Sequence, residues 1–191
     1  EESRADLFVL YYIADEKLVE LGLLPDNTAY KSQYYTYMLN GLFTQLVRIK
    51  PGAQIEESHM RNRALICRWV LEHSNGNVEL KKVDGKSCLL IHDYTMLRSL
   101  FAELLAEIQR IKSEGDYEAA RRIVETYGVS VDRELHEEVL ARYESLNIAP
   151  YKGFINPILK PVFDNEGEIT DVIVDYTESY TSQMLRYSRE Y

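Results

Sequence analysis

The chain has 191 residues, 46% of them hydrophobic and 28% charged, which is the composition of a folded globular protein of one domain or at most two. Its 31 acidic and 22 basic side chains leave a net charge of −9, and no block of Lys and Arg is present to displace phosphate counterions, which excludes nucleic acid as a partner. Apolar runs such as Leu89-Leu90-Ile91 fall far short of the roughly 20 residues that cross a bilayer, which excludes a membrane-spanning helix.

The chain opens on Glu1-Glu2 inside a helical pattern, with neither an initiator Met nor a leader, and so reads as a piece of a longer polypeptide. Helix formers over residues 2–21 close on Gly22 and Pro25, a glycine-then-proline stop. A second helix, capped by Asp26, Asn27 or Thr28, runs past Tyr34, Met38 and Leu42 to Val47 before Pro51-Gly52. A third covers residues 54–72 and stops at Asn75-Gly76. Strands over 78–83 and 87–91 flank Asp84-Gly85, the dipeptide that tolerates the positive φ angles of a type I′ hairpin. Asp93 caps a long helix whose Leu97, Leu100, Leu104, Ile108 and Ile111 form one apolar stripe up to Gly115. Helices over 117–127 and 132–145 follow, then an extended crossing marked by Pro150, Gly153 and Pro157. A second hairpin is expected from residues 158–163 and 169–176 around Asn165-Glu166-Gly167, and a last helix ends near Tyr187. The helix pair at Gly115-Asp116-Tyr117 has no second copy, so no repeat array is expected. The fold class is therefore mainly α (α+β), with residues 1–191 as one helical domain carrying two β-hairpins.

Cys67 and Cys88 are the only cysteines and form no Cys-x-x-Cys pair, which suits buried free thiols in a reducing, cytoplasmic setting. A His-Glu-x-x-His zinc motif is missing, since His136-Glu137 is followed at the ligand spacing by Leu140 and Ala141, and His136 is expected to be an exposed helix residue. His73 and His92 read as solvent or capping residues. The 15 tyrosines, among them Tyr34, Tyr35 and Tyr37, read as packing and interface residues.

The unusual segment is the opening, Glu1-Glu2-Ser3-Arg4-Ala5-Asp6, where helical spacing puts Glu2 and Asp6 on one face with Glu1 a step around. Acids at a helix N-terminus are favoured by the dipole, and their crowding also suits a cation. One carboxylate does not close a zinc site, which takes three protein ligands and a water. A second polar feature interrupts the stripe Ile55, His59, Asn62, Ile66, Trp69, whose first turns are polar and whose continuation is apolar. Two readings of His59 are open from the residues alone: a core histidine bonded to a neighbour such as Glu56, or the lip of a cleft.

The opening resembles the Glu-Glu-x-Arg-Ala-Glu/Asp motif of the dipeptidyl peptidase III family, zinc exopeptidases that release dipeptides from the N-termini of oligopeptides. The similarity extends through Leu7-Phe8, Leu10-Tyr11-Tyr12, Asn40-Gly41-Leu42, His59-Met60-Arg61-Asn62-Arg63, Asn147-Ile148-Ala149-Pro150 and Asn156-Pro157, nearly the whole chain, and is best with the bacterial branch. The resemblance implies that Glu2 is the third zinc ligand and that Glu1 and Asp6 accept hydrogen bonds from the two ligand histidines, fixing their tautomers. It implies that His59 is a catalytic and substrate-binding residue that steadies the peptide carbonyl or oxyanion, with Arg63 beside it in the cleft and Lys160 presenting a cation to the substrate's carboxylate side. Arg63 reads equally as a structural ion-pair residue. The family's remaining ligands and general-base glutamate lie in a His-Glu-x-x-x-His motif absent from this chain, as is the second lobe. The chain is thus expected to be the C-terminal part of a zinc-binding catalytic lobe, inactive by itself, with Zn2+ and an oligopeptide substrate bound only in the full-length enzyme. Two other readings stand beside it, a non-enzymatic helical interaction module and a pseudoenzyme lobe.

Overall fold

A computed structural model describes residues 1–148 and 155–190. The chain divides into two compact units, Glu1–Leu146 and Asn147–Tyr191, where the sequence reads as one domain; no low-complexity or flexible linker marks the division. The fold is mainly α, with two small antiparallel sheets of two strands each.

The first unit begins with α1 (Glu2–Tyr12). The single long helix expected from the opening segment is interrupted, because the Asp15 side chain accepts the Lys17 amide and starts a separate short helix, α2 (Glu16–Glu20). Helix α3 (Ala29–Leu42) likewise ends earlier than its pattern suggests, and Thr44–Arg48 tightens into a 3-10 turn. The next helix, α4 (Ser58–His73), starts four residues later than the sequence pattern indicates, since Glu57 caps it by accepting the His59 and Met60 amides. Strands β1 (Val78–Val83) and β2 (Lys86–Ile91) pair with Val83 opposite Lys86, and Asp84 and Gly85 take φ of 51° and 75°, the geometry of a type I′ turn. Helix α5 (Tyr94–Glu114) is capped by Asp93 and ends on Gly115 at φ 67°. Helix α6 (Tyr117–Ile123) runs into a π turn, Val124–Val129, and α7 (Arg133–Ser145) follows, capped by Asp132.

Helix α1 packs on α5 and α4, and α3 packs on α4. The core sits among these four helices, built on Leu7, Tyr34, Met38, Ile66, Leu97, Phe101 and Leu104, all fully or almost fully buried. Tyr34 stacks edge-on against Phe101 and donates its hydroxyl to the Leu10 carbonyl at 2.6 Å, so the buried phenol keeps its polar end satisfied.

In the second unit β3 (Ile158–Phe163) pairs antiparallel with β4 (Ile169–Asp175), with a register irregularity at Val162 and Phe163. The turn is closed by the Asp164 carboxylate, which accepts the Glu166 and Glu168 amides. Helix α8 (Tyr180–Glu190) buries Gln183, which accepts the Asn156 amide and donates to the Asn156 carbonyl. Asn156 of the Asn156-Pro157 landmark is thereby tied to α8. Ala149, Pro150 and Gly153 lie outside the described residues, so the end of the Asn147-Pro150 landmark and most of the expected crossing are not described. Among the described residues no helix is long and apolar enough to cross a membrane.

Candidate functional site

The late start of α4 decides what His59 can do. With Glu57 as the cap, His59 sits in the first turn of the helix and its side chain is 59% exposed. It is therefore neither a core histidine nor a partner of Glu56. Its Nδ1 lies 3.0 Å from Oε2 of Glu2, in the first turn of α1, so two residues 57 positions apart that the sequence marks for different reasons meet at the surface. Glu2 Oε1 has no hydrogen-bond partner among the described residues, which leaves that oxygen available to a ligand. The two amides on Glu57, that of His59 first, hold its carboxyl below the ordinary value and strengthen the cap.

One turn further along α1, Asp6 is half-buried and fully engaged at one oxygen. Tyr37 of α3 donates its hydroxyl to Oδ2 at 2.8 Å, and Asn62 of α4 donates its amide to the same Oδ2 at 2.6 Å. Asp6 thus ties three helices at a single atom. Burial, and after it the neighbouring Cys67 and Asp6, pushes the Tyr37 phenol far above its usual range, so it stays protonated and remains a donor. Asn62 is 4% exposed, and its Oδ1 has no partner among the described residues.

Glu1 is placed differently from Glu2 and Asp6. Its carboxylate is taken by the Arg4 guanidinium at 2.8 Å and by the Lys112 ammonium, on an exposed surface. Arg63 lies one turn after His59, half-buried, and makes no ion pair or hydrogen bond among the described residues, so the structural ion pair allowed by the sequence is not formed there. Its charge is felt by Glu57, Tyr37 and Cys67. Lys160 belongs to the second unit, where Asp175 of the paired strand holds its ammonium; that ion pair, with Thr177 donating as well, keeps the Asp175 carboxyl far below its usual range.

The arrangement offers zinc one ligand of the right kind. Glu2 is a partly exposed carboxylate with a free oxygen, steadied from behind by an imidazole. Among the described residues no group of three His, Cys, Asp or Glu side chains is disposed to hold a metal ion, so a closed tetrahedral site needs donors beyond these. Glu2 fits a shared site and does not make one alone.

The sequence reading missed the role of Tyr37, which it took for packing, and it put His136 on the surface. His136 is 4% exposed, and its Nε2 donates to the carbonyls of Leu46 at 3.0 Å and Ile49 at 3.2 Å. The signal was present: Val139, one turn on, is also buried, so His136 lies on the inward face of α7. His73 stacks on Trp69 with ring centroids 4.0 Å apart and bonds its carbonyl, and His92 pairs with Glu79, so both have partners the sequence did not name. Cys67 is fully buried and Cys88 half-buried, both as free thiols. A comparison with protein-family models finds none that matches this chain.

Proposed function

We propose that this chain is part of the catalytic lobe of a zinc exopeptidase of the dipeptidyl peptidase III type, acting on the N-termini of oligopeptides. Glu2 is the carboxylate zinc ligand, and the remaining ligands and the general base come from polypeptide outside these 191 residues. Zinc, when bound, supplies the Lewis acid that polarises the scissile carbonyl. His59 donates Nδ1–H to Glu2, which fixes the ring and leaves Nε2 as the nitrogen that meets the substrate. Nε2 is the ring nitrogen left to steady the peptide carbonyl oxygen where negative charge develops. Arg63 adds a positive charge beside it, and Asp6 accepts from a ligand histidine. Lys160 serves the substrate's carboxylate side only by giving up Asp175. The unpaired thiols suit a reducing, cytoplasmic setting.

The observation that carries this reading is the 3.0 Å contact between Glu2 and His59. The test is metal analysis of the full-length polypeptide in which residues 1–191 occur. About one zinc per chain is expected, falling to near zero in Glu2→Ala because one of the three protein ligands is gone, with loss of dipeptide release. The 191-residue chain alone is expected to hold almost none. Undiminished zinc in Glu2→Ala, or no zinc in the full-length polypeptide, overturns the reading.

A further inference from the structure

Asp6 receives both of its hydrogen bonds from within the chain at one oxygen. Tyr37 and Asn62 reach Oδ2 from different helices, while Oδ1 has no partner among the described residues. A tie between helices has no need of this asymmetry, since donors shared between the two oxygens would join them equally well. Asn62 makes the point more strongly. It shares a face of α4 with Leu65 and Ile66, both buried and apolar, and it buries an amide whose Oδ1 is bare, a desolvation cost that an apolar residue avoids. What an amide offers there is its N–H to Asp6. Tyr37 is the matching donor from α3, and its phenol is held protonated by burial.

We propose that Tyr37 and Asn62 are positioning residues: by occupying Oδ2 of Asp6 they fix the carboxylate plane and leave Oδ1 as its one free acceptor, set to take the ring N–H of a zinc-ligating histidine. The inference rests on the zinc reading above and assigns to two residues outside the opening motif the task of aiming one of its acids. A metal-bound imidazole is a stronger ligand when a rigid carboxylate stands behind it, and loosening that carboxylate weakens the metal site without touching a ligand.

The experiment measures the zinc dissociation constant of the full-length polypeptide by competition with a chromogenic chelator, for Tyr37→Phe, Asn62→Leu and Asp6→Asn, singly and combined. Each of the first two is expected to weaken zinc about tenfold or more, and to weaken it no further once Asp6 is Asn, because both act through Asp6. Thermal melts of the metal-free forms report any purely structural loss. Zinc affinity within about twofold of wild type in Tyr37→Phe, or losses that persist undiminished on the Asp6→Asn background, overturns the assignment. Should Asn62→Leu not fold, Tyr37→Phe, which removes a single hydroxyl, decides alone; should that fail as well, the tie is structural and the assignment falls. Zinc lost in Glu2→Ala but unchanged in Tyr37→Phe refutes this inference only, whereas zinc retained in Glu2→Ala removes the reading beneath it as well.

Discussion

At Gly41 α3 packs so tightly on α4 that no side chain fits between them, and replacing it with Ala tests whether that approach is obligatory. A Cβ at this position meets Cys67 Sγ at 2.3 Å, the Arg63 carbonyl oxygen at 2.8 Å and Cys67 Cβ at 3.0 Å. The thiol can rotate, but the carbonyl is backbone and has to retreat by at least about 0.6 Å to reach ordinary contact at 3.4 Å. Overpacking of this kind costs about 3 kcal/mol at the upper end of its usual range. Ala returns about 1 kcal/mol through its better helix propensity, for a net loss of about 2 kcal/mol. In a chain of this size that is a drop of about 4–8 °C in melting temperature, read by far-UV circular dichroism. Adding Cys67→Ala removes the sulfur clash and leaves the carbonyl one, so the double variant recovers part of the loss and not all of it. Gly41→Ala melting at or above the wild-type temperature refutes the close approach. Because Tyr37 and Asn62 reach Asp6 from the two helices that would be pushed apart, the same substitution disturbs the candidate site as well.

Three further outcomes are expected. Glu138 has its carboxyl lowered from 4.5 to about 2, first by the Lys82 ammonium and then by the Ser87 amide and hydroxyl, so it adds stability above its unfolded value and loses that contribution as pH falls from about 4.5 to about 2. Glu138→Gln therefore lowers the urea midpoint at neutral pH, by about 1–2 kcal/mol in stability, and the gap from wild type narrows as the solution is acidified; a gap independent of pH contradicts this. His136→Ala strands the Ile49 carbonyl, while that of Leu46 keeps the Ile49 amide, and costs about 1–3 kcal/mol, seen as a lower melting temperature, whereas an unchanged melt places His136 at the surface. Alkylation of the native protein followed by peptide mapping labels Cys88 well before Cys67, whose thiol is pushed up by complete burial; equal rates contradict that burial.

How much of this was legible in the sequence depends on the range of the interaction. Asp84-Gly85, the Asp93 cap and the apolar stripe of α5 are set by residues within a few positions of each other, and the structure has them where the pattern puts them. The breaks inside the first two helices were hidden, because Asp15 and the 3-10 turn at Thr44–Arg48 interrupt runs whose composition remains helical. At the site, the residues of interest were visible as types: acids at a helix start, and a histidine and an asparagine on an otherwise apolar stripe. Their partners were not. That Glu2 meets His59, or that Asp6 collects donors from α3 and α4, depends on how helices pack across some thirty to sixty residues, which spacing along one helix does not report. His136 was misread for a related reason, since the absence of a metal motif around it said nothing about which way α7 faces.

Ser87 shows how the hairpin of the first unit is finished at one point. Its amide is accepted by Glu138, and its carbonyl takes the guanidinium of Arg142, one helical turn further along α7. An acceptor and a donor side by side on a helix thus stand in for a missing third strand. An exposed ladder recruits extended segments from other chains, and here two side chains occupy its outward-facing groups, so at this residue the sheet is closed to further growth.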